Sequence, residues 1–271
     1  MNIISKLVLM VILIIPGILN IKAQSFNLYN TEEKLFPSEN VADTFHIFIS
    51  VPNSYTDTEN RYPVMYVLDG DIAFGMAASI ARYMRIGGNI PELIIVGIGY
   101  GSIDKTAGNK RNRDYRPVPE GGAENFLSFI NDELIPFIDS TYSTIPGDRT
   151  INGYSSGGLF ALYTLFTQPN TFNRYVVGSP YLVWDNYSIY KYEESSPEKI
   201  GDKKINLFIS VGSKESEQKY FNPIDELVIK LQERNYSGLR LETKVFDGST
   251  HLTAAPEAIT HGLLSVFKNK D

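Results

Sequence analysis

The chain has no cysteine, one tryptophan and three histidines in 271 residues. Without cysteine there is no disulfide framework, no lipidated N-terminal cysteine and no thiolate ligand for zinc. The histidines, His46, His251 and His261, are scattered, with no H-x-x-H-like spacing, so neither a metal nor an organic cofactor is expected. Basic excess is also lacking. Lys and Arg number 25 against 31 Asp and Glu, a net charge of −6. That balance argues against nucleic acid or an anionic membrane surface as a general partner. Long apolar runs are absent as well. Leu7 to Ile15 is nine residues before Pro16-Gly17 breaks it, far short of the ~20 needed to span a bilayer.

That short run has another reading. Lys6 supplies a positive start, Leu7–Ile15 an apolar centre, and Ile21-Lys22-Ala23 a small residue at a cut before Gln24. This is the pattern of a secretory signal peptide over residues 1–23, leaving no membrane anchor after cleavage. An exported protein of this size without disulfides fits a bacterial periplasm or the exterior, where a large core suffices. Residues 24–271 show no linker, repeat or low-complexity segment and read as one domain.

The most informative stretch is Gly153-Tyr154-Ser155-Ser156-Gly157, a G-x-S-x-G. Arg149–Asn152 before it reads as the end of a strand. Gly158–Phe166 after it is an apolar run of good helix formers stopped by Pro169-Asn170. Strand, sharp turn and helix form the context in which this motif exposes a nucleophilic serine. Continuous apolar runs at 62–68, 93–98, 175–177 and 205–211 read as strands covered on both faces. The alternating run 44–51 and the run 239–246 complete the strands. Helical patterns occupy 71–85, 120–138, 223–234 and 256–267. Strands alternating with helices imply an α/β fold with a mostly parallel sheet, whose ligand site lies at the carboxyl ends of the strands.

A serine needs a base. His46 falls on the polar face of a strand and His261 inside the last helix. His251 follows the last strand, in Asp247-Gly248-Ser249-Thr250-His251, which fits the chain order serine, acid, histidine. For the acid, Glu215 in the loop after 205–211 is the first choice. Glu217 and Asp185 are alternatives, and a serine–histidine dyad with no acid is another. Two backbone N–H groups should hold the tetrahedral oxyanion, those of Ser156 and of Asp71 after the strand ending at Leu68.

Several further motifs carry a resemblance. Tyr66–Asp71, Ile95–Tyr100, Arg113-Asp114-Tyr115-Arg116-Pro117, Gly153–Tyr163, Gly178-Ser179-Pro180 with Trp184-Asp185, and Phe246–His251 run in order across almost the whole of residues 44–267. Together they resemble the α/β-hydrolase family of esterases that includes esterase D, feruloyl esterases, mycolyltransferases and siderophore esterases, the last branch most of all. The resemblance implies Ser155 as nucleophile, His251 as base, an oxyanion hole from Asp71 and Ser156, and ester cleavage through an acyl-enzyme. Tyr154 and Ser156 depart from the family's common elbow. Transfer of the acyl group to an alcohol, or an inactive fold kept for binding, are the rival functions.

For substrate contacts, Arg111, Arg113 and Arg116 cluster with Tyr115 in the loop after 93–98, and Trp184 follows another strand. Arg113, Tyr115 and Trp184 are therefore expected to line the mouth and to favour an anionic or aromatic small-molecule ester. The alternative is that Arg113 pairs with Asp114 and only shapes the loop.

Overall fold

The structure, a computed structural model, describes residues 28–55, 59–104, 108–118 and 120–268. The expected signal peptide, residues 1–23, lies outside them. Eight strands form one sheet: β1 (Thr31–Ser38), β2 (Asp43–Ser50), β3 (Tyr62–Val67), β4 (Ile94–Gly99), β5 (Thr144–Tyr154), β6 (Arg174–Gly178), β7 (Ile205–Gly212) and β8 (Leu239–Phe246). Their order across the sheet is β1-β2-β4-β3-β5-β6-β7-β8. From β4 to β8 every pairing is parallel; β1 and β2 run antiparallel at one edge. Strand β3 and strand β4 are buried along their whole length, as the unbroken Val/Ile runs require of strands covered on both faces. Strand β1 has no such run. Its sequence, TEEKLFPS, is largely exposed, and it exists because β2 offers it a register, Lys34 opposite Ile47 and Phe36 opposite Phe45.

Helix α1 (Gly70–Ile86) follows β3, and the single turn α2 (Arg111–Asp114) follows β4. The expected helix at 120–138 is α3 (Ala123–Ser128), a π-helical stretch Phe129–Leu134, and α4 (Ile135–Thr141). Pro136 has no N–H to give to the turn before it, and the ladder widens there. Helix α5 (Ser156–Thr167) follows β5. The short helices α6 (Ile189–Glu194) and α7 (Pro197–Ile200) follow β6, and a π-helical turn, Glu217–Phe221, leads into α8 (Asn222–Arg234). Helix α9 (Ala254–Val266) ends the fold.

Helices lie on both faces. Phe74, Ala77 and Ala81 of α1 join Ile259 and Leu263 of α9 against Met65, Val67 and Ile95. Phe126, Phe129, Phe160 and Leu227 lie in the core on the other side, with Tyr66, Val96 and Ile151. The chain leaves β3 for β4 on one side and returns to β5 on the other. The crevice therefore opens where the carboxyl ends of β3 and β5 meet, the place a doubly covered parallel sheet reserves for ligands.

Candidate active site

Ser155 stands at the end of β5 with φ 57° and ψ −117°. A backbone in that region costs roughly 1–3 kcal/mol and persists only where its surroundings over-determine it. Here the Ser155 N–H donates to Gly178 O at 2.9 Å, and Ser155 O accepts from Leu159 N and Tyr181 N, both at 3.1 Å. A side chain at Gly153 would place its Cβ 2.2 Å from Gly157 O, so only glycine lets β5 pass that close to α5.

The loops after β7 and β8 bring an acid and an imidazole together. Glu215 Oε2 lies 2.6 Å from His251 Nδ1. Its other oxygen, Oε1, accepts from Ser179 Oγ at 2.5 Å and from Gly212 N at 2.8 Å. Burial pushes the Glu215 carboxyl up, but the bonds from His251, Ser179 and Gly212 outweigh it and hold the group below its ordinary 4.5. Glu217, in the π-helical turn, and Asp185 are both exposed; the carboxylate on the imidazole is that of Glu215. The far side of the ring meets Tyr220, whose hydroxyl lies 3.5 Å from His251 Nε2 and reaches the Ser155 side chain. The Tyr220 and His251 ring centres are 4.7 Å apart. His46 instead contacts Glu33 at 2.5 Å, and His261 contacts Lys244 at 3.2 Å.

Two helix N-termini face the crevice. Ser156 is the first residue of α5, and Asp71 is in the first turn of α1, where N–H groups have no partner within the helix. Ile72 N and Ala73 N are the first to bond back, both to Asp69 O. The termini are close, because a Cβ on Gly157 would lie 3.3 Å from Asp69 Oδ2. The Asp71 carboxylate accepts from Tyr100 N at 2.7 Å and Gly101 N at 2.8 Å, tying the loop after β4 to the start of α1.

That loop overturns two expected substrate contacts. Tyr115 is fully buried, and its hydroxyl oxygen accepts from Asp69 N at 3.0 Å. It braces the turn before α1 from within the core and cannot meet a solute. Arg113 forks onto Asp114, at 2.6 and 2.9 Å, and also reaches Asp43 at 2.9 Å. Asp114 is fully buried, and a buried carboxylate needs a partner, so this arginine is committed. Arg111 is committed too, forking onto Asp69 at 2.5 and 2.9 Å.

Arg116 is different. Its guanidinium lies 4.2 Å over the Trp184 ring, and its buried Nε has no hydrogen-bond partner among the described residues. Arg116 and Trp184 line a cavity of about 360 Å³ with Val118, Glu120, Tyr181, Val183 and Asp185. Rings connect this cavity to the imidazole. Trp184 is 6.3 Å from Tyr181, Tyr181 is 5.9 Å from Tyr220, and Tyr220 stands on His251. Trp184, expected at the mouth, lines this cavity, and the arginine beside it is Arg116 in place of Arg113. Tyr181, Tyr220 and Ser179 escaped sequence reading because tyrosine and serine are common and only contact marks them out. No group of three or more His, Asp or Glu among the described residues is arranged to hold a metal ion.

Residues 38–253 match the Putative esterase family. The chain belongs to that family. Membership makes it a carboxylic ester hydrolase of the α/β-hydrolase fold. A relative 32% identical, aligned over 89% of this chain and 91% of its own, is the ferri-bacillibactin esterase BesA of Bacillus subtilis. Among solved structures, the BES protein of Bacillus cereus superposes with a TM-score of 0.83 at 30% identity, over 92% of this chain and 99% of that one. An IroE-like serine hydrolase from Shewanella oneidensis does so with 0.77 at 28% identity, over 88% and 80%.

Proposed function

We propose that this esterase is exported and cleaves anionic aromatic esters of the siderophore type through an acyl-enzyme on Ser155. One observation carries the reading: the Tyr220 hydroxyl meets both Ser155, a serine on a strained strand-to-helix turn, and the Nε2 of a histidine whose Nδ1 is held at 2.6 Å by a buried carboxylate. In that arrangement Ser155 Oγ attacks the ester carbonyl and His251 Nε2 takes the hydroxyl proton. Glu215 steadies the imidazolium, and the N–H groups of Ser156 and Asp71 hold the oxyanion. The carbon–oxygen bond to the alcohol breaks, and His251 hands the alcohol its proton. Water then attacks the acyl-enzyme, again giving a proton to His251, and the carboxylic acid leaves as Ser155 regains its own.

The substrate class rests on the cavity that a row of rings joins to the imidazole. Arg116 Nε has no hydrogen-bond partner among the described residues, although Glu120 and Asp185 line the same cavity, and Trp184, Tyr181 and Tyr220 offer ring faces that lead toward His251. A guanidinium suits an anionic oxygen and the rings suit an aryl group. The name of the Bacillus subtilis relative supports a siderophore ester, and that of the Shewanella protein supports a serine mechanism. Among the described residues no helix is long and apolar enough to cross a membrane. Export rests on residues 1–23, and the exported protein should begin at Gln24. A fluorophosphonate probe should label Ser155, and a triscatecholate lactone should be hydrolysed with a higher kcat/KM than long-chain acyl esters. Absence of labelling would refute the serine mechanism; preference for long-chain acyl esters would refute the substrate class.

A further inference from the structure

The residue before the nucleophile is a half-buried tyrosine, and its hydroxyl bonds to the residues behind the acid–base pair. It lies 2.9 Å from Ser179 Oγ and 2.7 Å from the His251 backbone carbonyl. Ser179 in turn is 2.5 Å from Glu215 Oε1. Counting protons orders these contacts. The Glu215 carboxylate is ionised and only accepts, so the single Ser179 proton goes to Glu215. The Ser179 oxygen is then left as an acceptor, and so is the His251 carbonyl. The single Tyr154 proton is directed at these two acceptors, and no other assignment leaves each contact attractive. Donation therefore runs from Tyr154 through Ser179 to one oxygen of Glu215, while the imidazole Nδ1–H donates to the other.

We infer that Tyr154 and Ser179 are positioning residues for the acid–base pair, a hydrogen-bonded chain that fixes the far oxygen of Glu215 and the backbone of His251 from the nucleophile's own turn. The inference rests on the Ser155, His251 and Glu215 reading above. Three further features support it. Ser179 has no exposure and a φ of 38°, a conformation that neighbours must impose on a non-glycine residue. Tyr154 also packs against the imidazole, with ring centres 5.2 Å apart. Finally, the chain joins the ends of four strands, β5 through Tyr154, β6 through Ser179, β7 through Glu215 and β8 through His251, so one network sets the mutual placement of all three reacting groups. Other ionisable groups near it are Tyr220 and Tyr181 on the crevice side and Glu257 of α9, the last bonded to Ser249.

The test compares Tyr154→Phe, Ser179→Ala and the double variant, with active sites titrated by a fluorophosphonate. Each single variant should lose about tenfold in kcat per titrated site, the scale of one hydrogen bond removed from a buried network, with KM unchanged. The downfield proton resonance of the His251 Nδ1–H bond to Glu215 should shift or vanish in both. Because the two residues act through one chain, the double variant should lose no more than the worse single one. Unchanged kcat per titrated site, an equal effect on KM, or losses that multiply would each overturn the inference. If the probe fails to label wild-type Ser155, the catalytic reading itself fails. If wild type labels and the variants keep their kcat, only the positioning role falls.

Discussion

Two clusters of charge lie at the carboxyl ends of the strands, and they are put to opposite use. After β4, Arg111 and Arg113 face Asp69 and Asp114, each carboxylate gripped by a two-toothed guanidinium. After β7 and β8, Glu215 faces His251 through one oxygen and spends the other on Ser179 and Gly212. In the first cluster each pair is closed: both oxygens of each carboxylate are taken by one guanidinium. In the second, the partner of the carboxylate is a ring whose other nitrogen remains directed at the crevice and at Tyr220. A charged residue at a strand end therefore says little until its partners are counted. Arg116, whose Nε has none among the described residues, is the arginine proposed above for a ligand.

The comparison can be broken first at the open cluster. Ser155→Ala should lower kcat on an activated ester by about 10⁶, and His251→Ala by about as much, because the two act as a unit. Steady-state rates on an aryl acetate check this, and a variant keeping a tenth of the activity would remove the assignment. Glu215→Gln should cost less, roughly 10²–10⁴ in kcat, since it orients and steadies the imidazolium without meeting substrate.

The closed cluster should respond in stability instead. Arg113→Ala leaves buried Asp114 without its guanidinium and should destabilise the fold by about 3 kcal/mol, seen as a lower Tm. Arg116→Ala should leave Tm near wild type and raise KM for a catecholate ester about tenfold, equal to ~1.4 kcal/mol, with little effect on a small aryl acetate. Trp184→Ala should behave like Arg116→Ala. Equal losses on both substrates would make Arg116 a structural residue like its neighbours.

The smallest effect is on acid stability. The folded state holds Glu215 below its ordinary 4.5, so its contribution to stability is complete above that pH and is lost as pH falls through the lowered value. Urea midpoints between pH 6 and pH 3 should show Glu215→Gln lacking this part of the acid loss while being less stable than wild type at pH 7. Parallel curves for the two proteins would mean that Glu215 is not held low.

Much of this was legible from residue order. The apolar runs placed β3, β4, β6 and β7, because a strand buried on both faces can carry little else, and the alternating run 44–51 and the run 239–246 placed β2 and β8. The elbow, His251 and a choice of three carboxylates were legible because a parallel sheet sends every strand end to one edge. Strand β1 was not, since its polar residues carry no pattern of their own and its register comes from β2. The break at Pro136 was visible as a proline, but the π-helical widening it accompanies depends on packing.

The site divides in the same way. Sequence alone determined which segments reach the crevice, since that follows from chain order and from where apolar runs end. It also determined the strained turn at Ser155, because Gly153 admits the close passage of α5 that the turn requires. Only tertiary structure decided which of three carboxylates meets the imidazole, which of three arginines stays open, and that Tyr154 and Ser179 stand behind the pair. Those outcomes depend on distances between groups up to 97 residues apart in the chain. A hydrogen bond is made or lost within a few tenths of an ångström, which is finer than any pattern of residue types can specify.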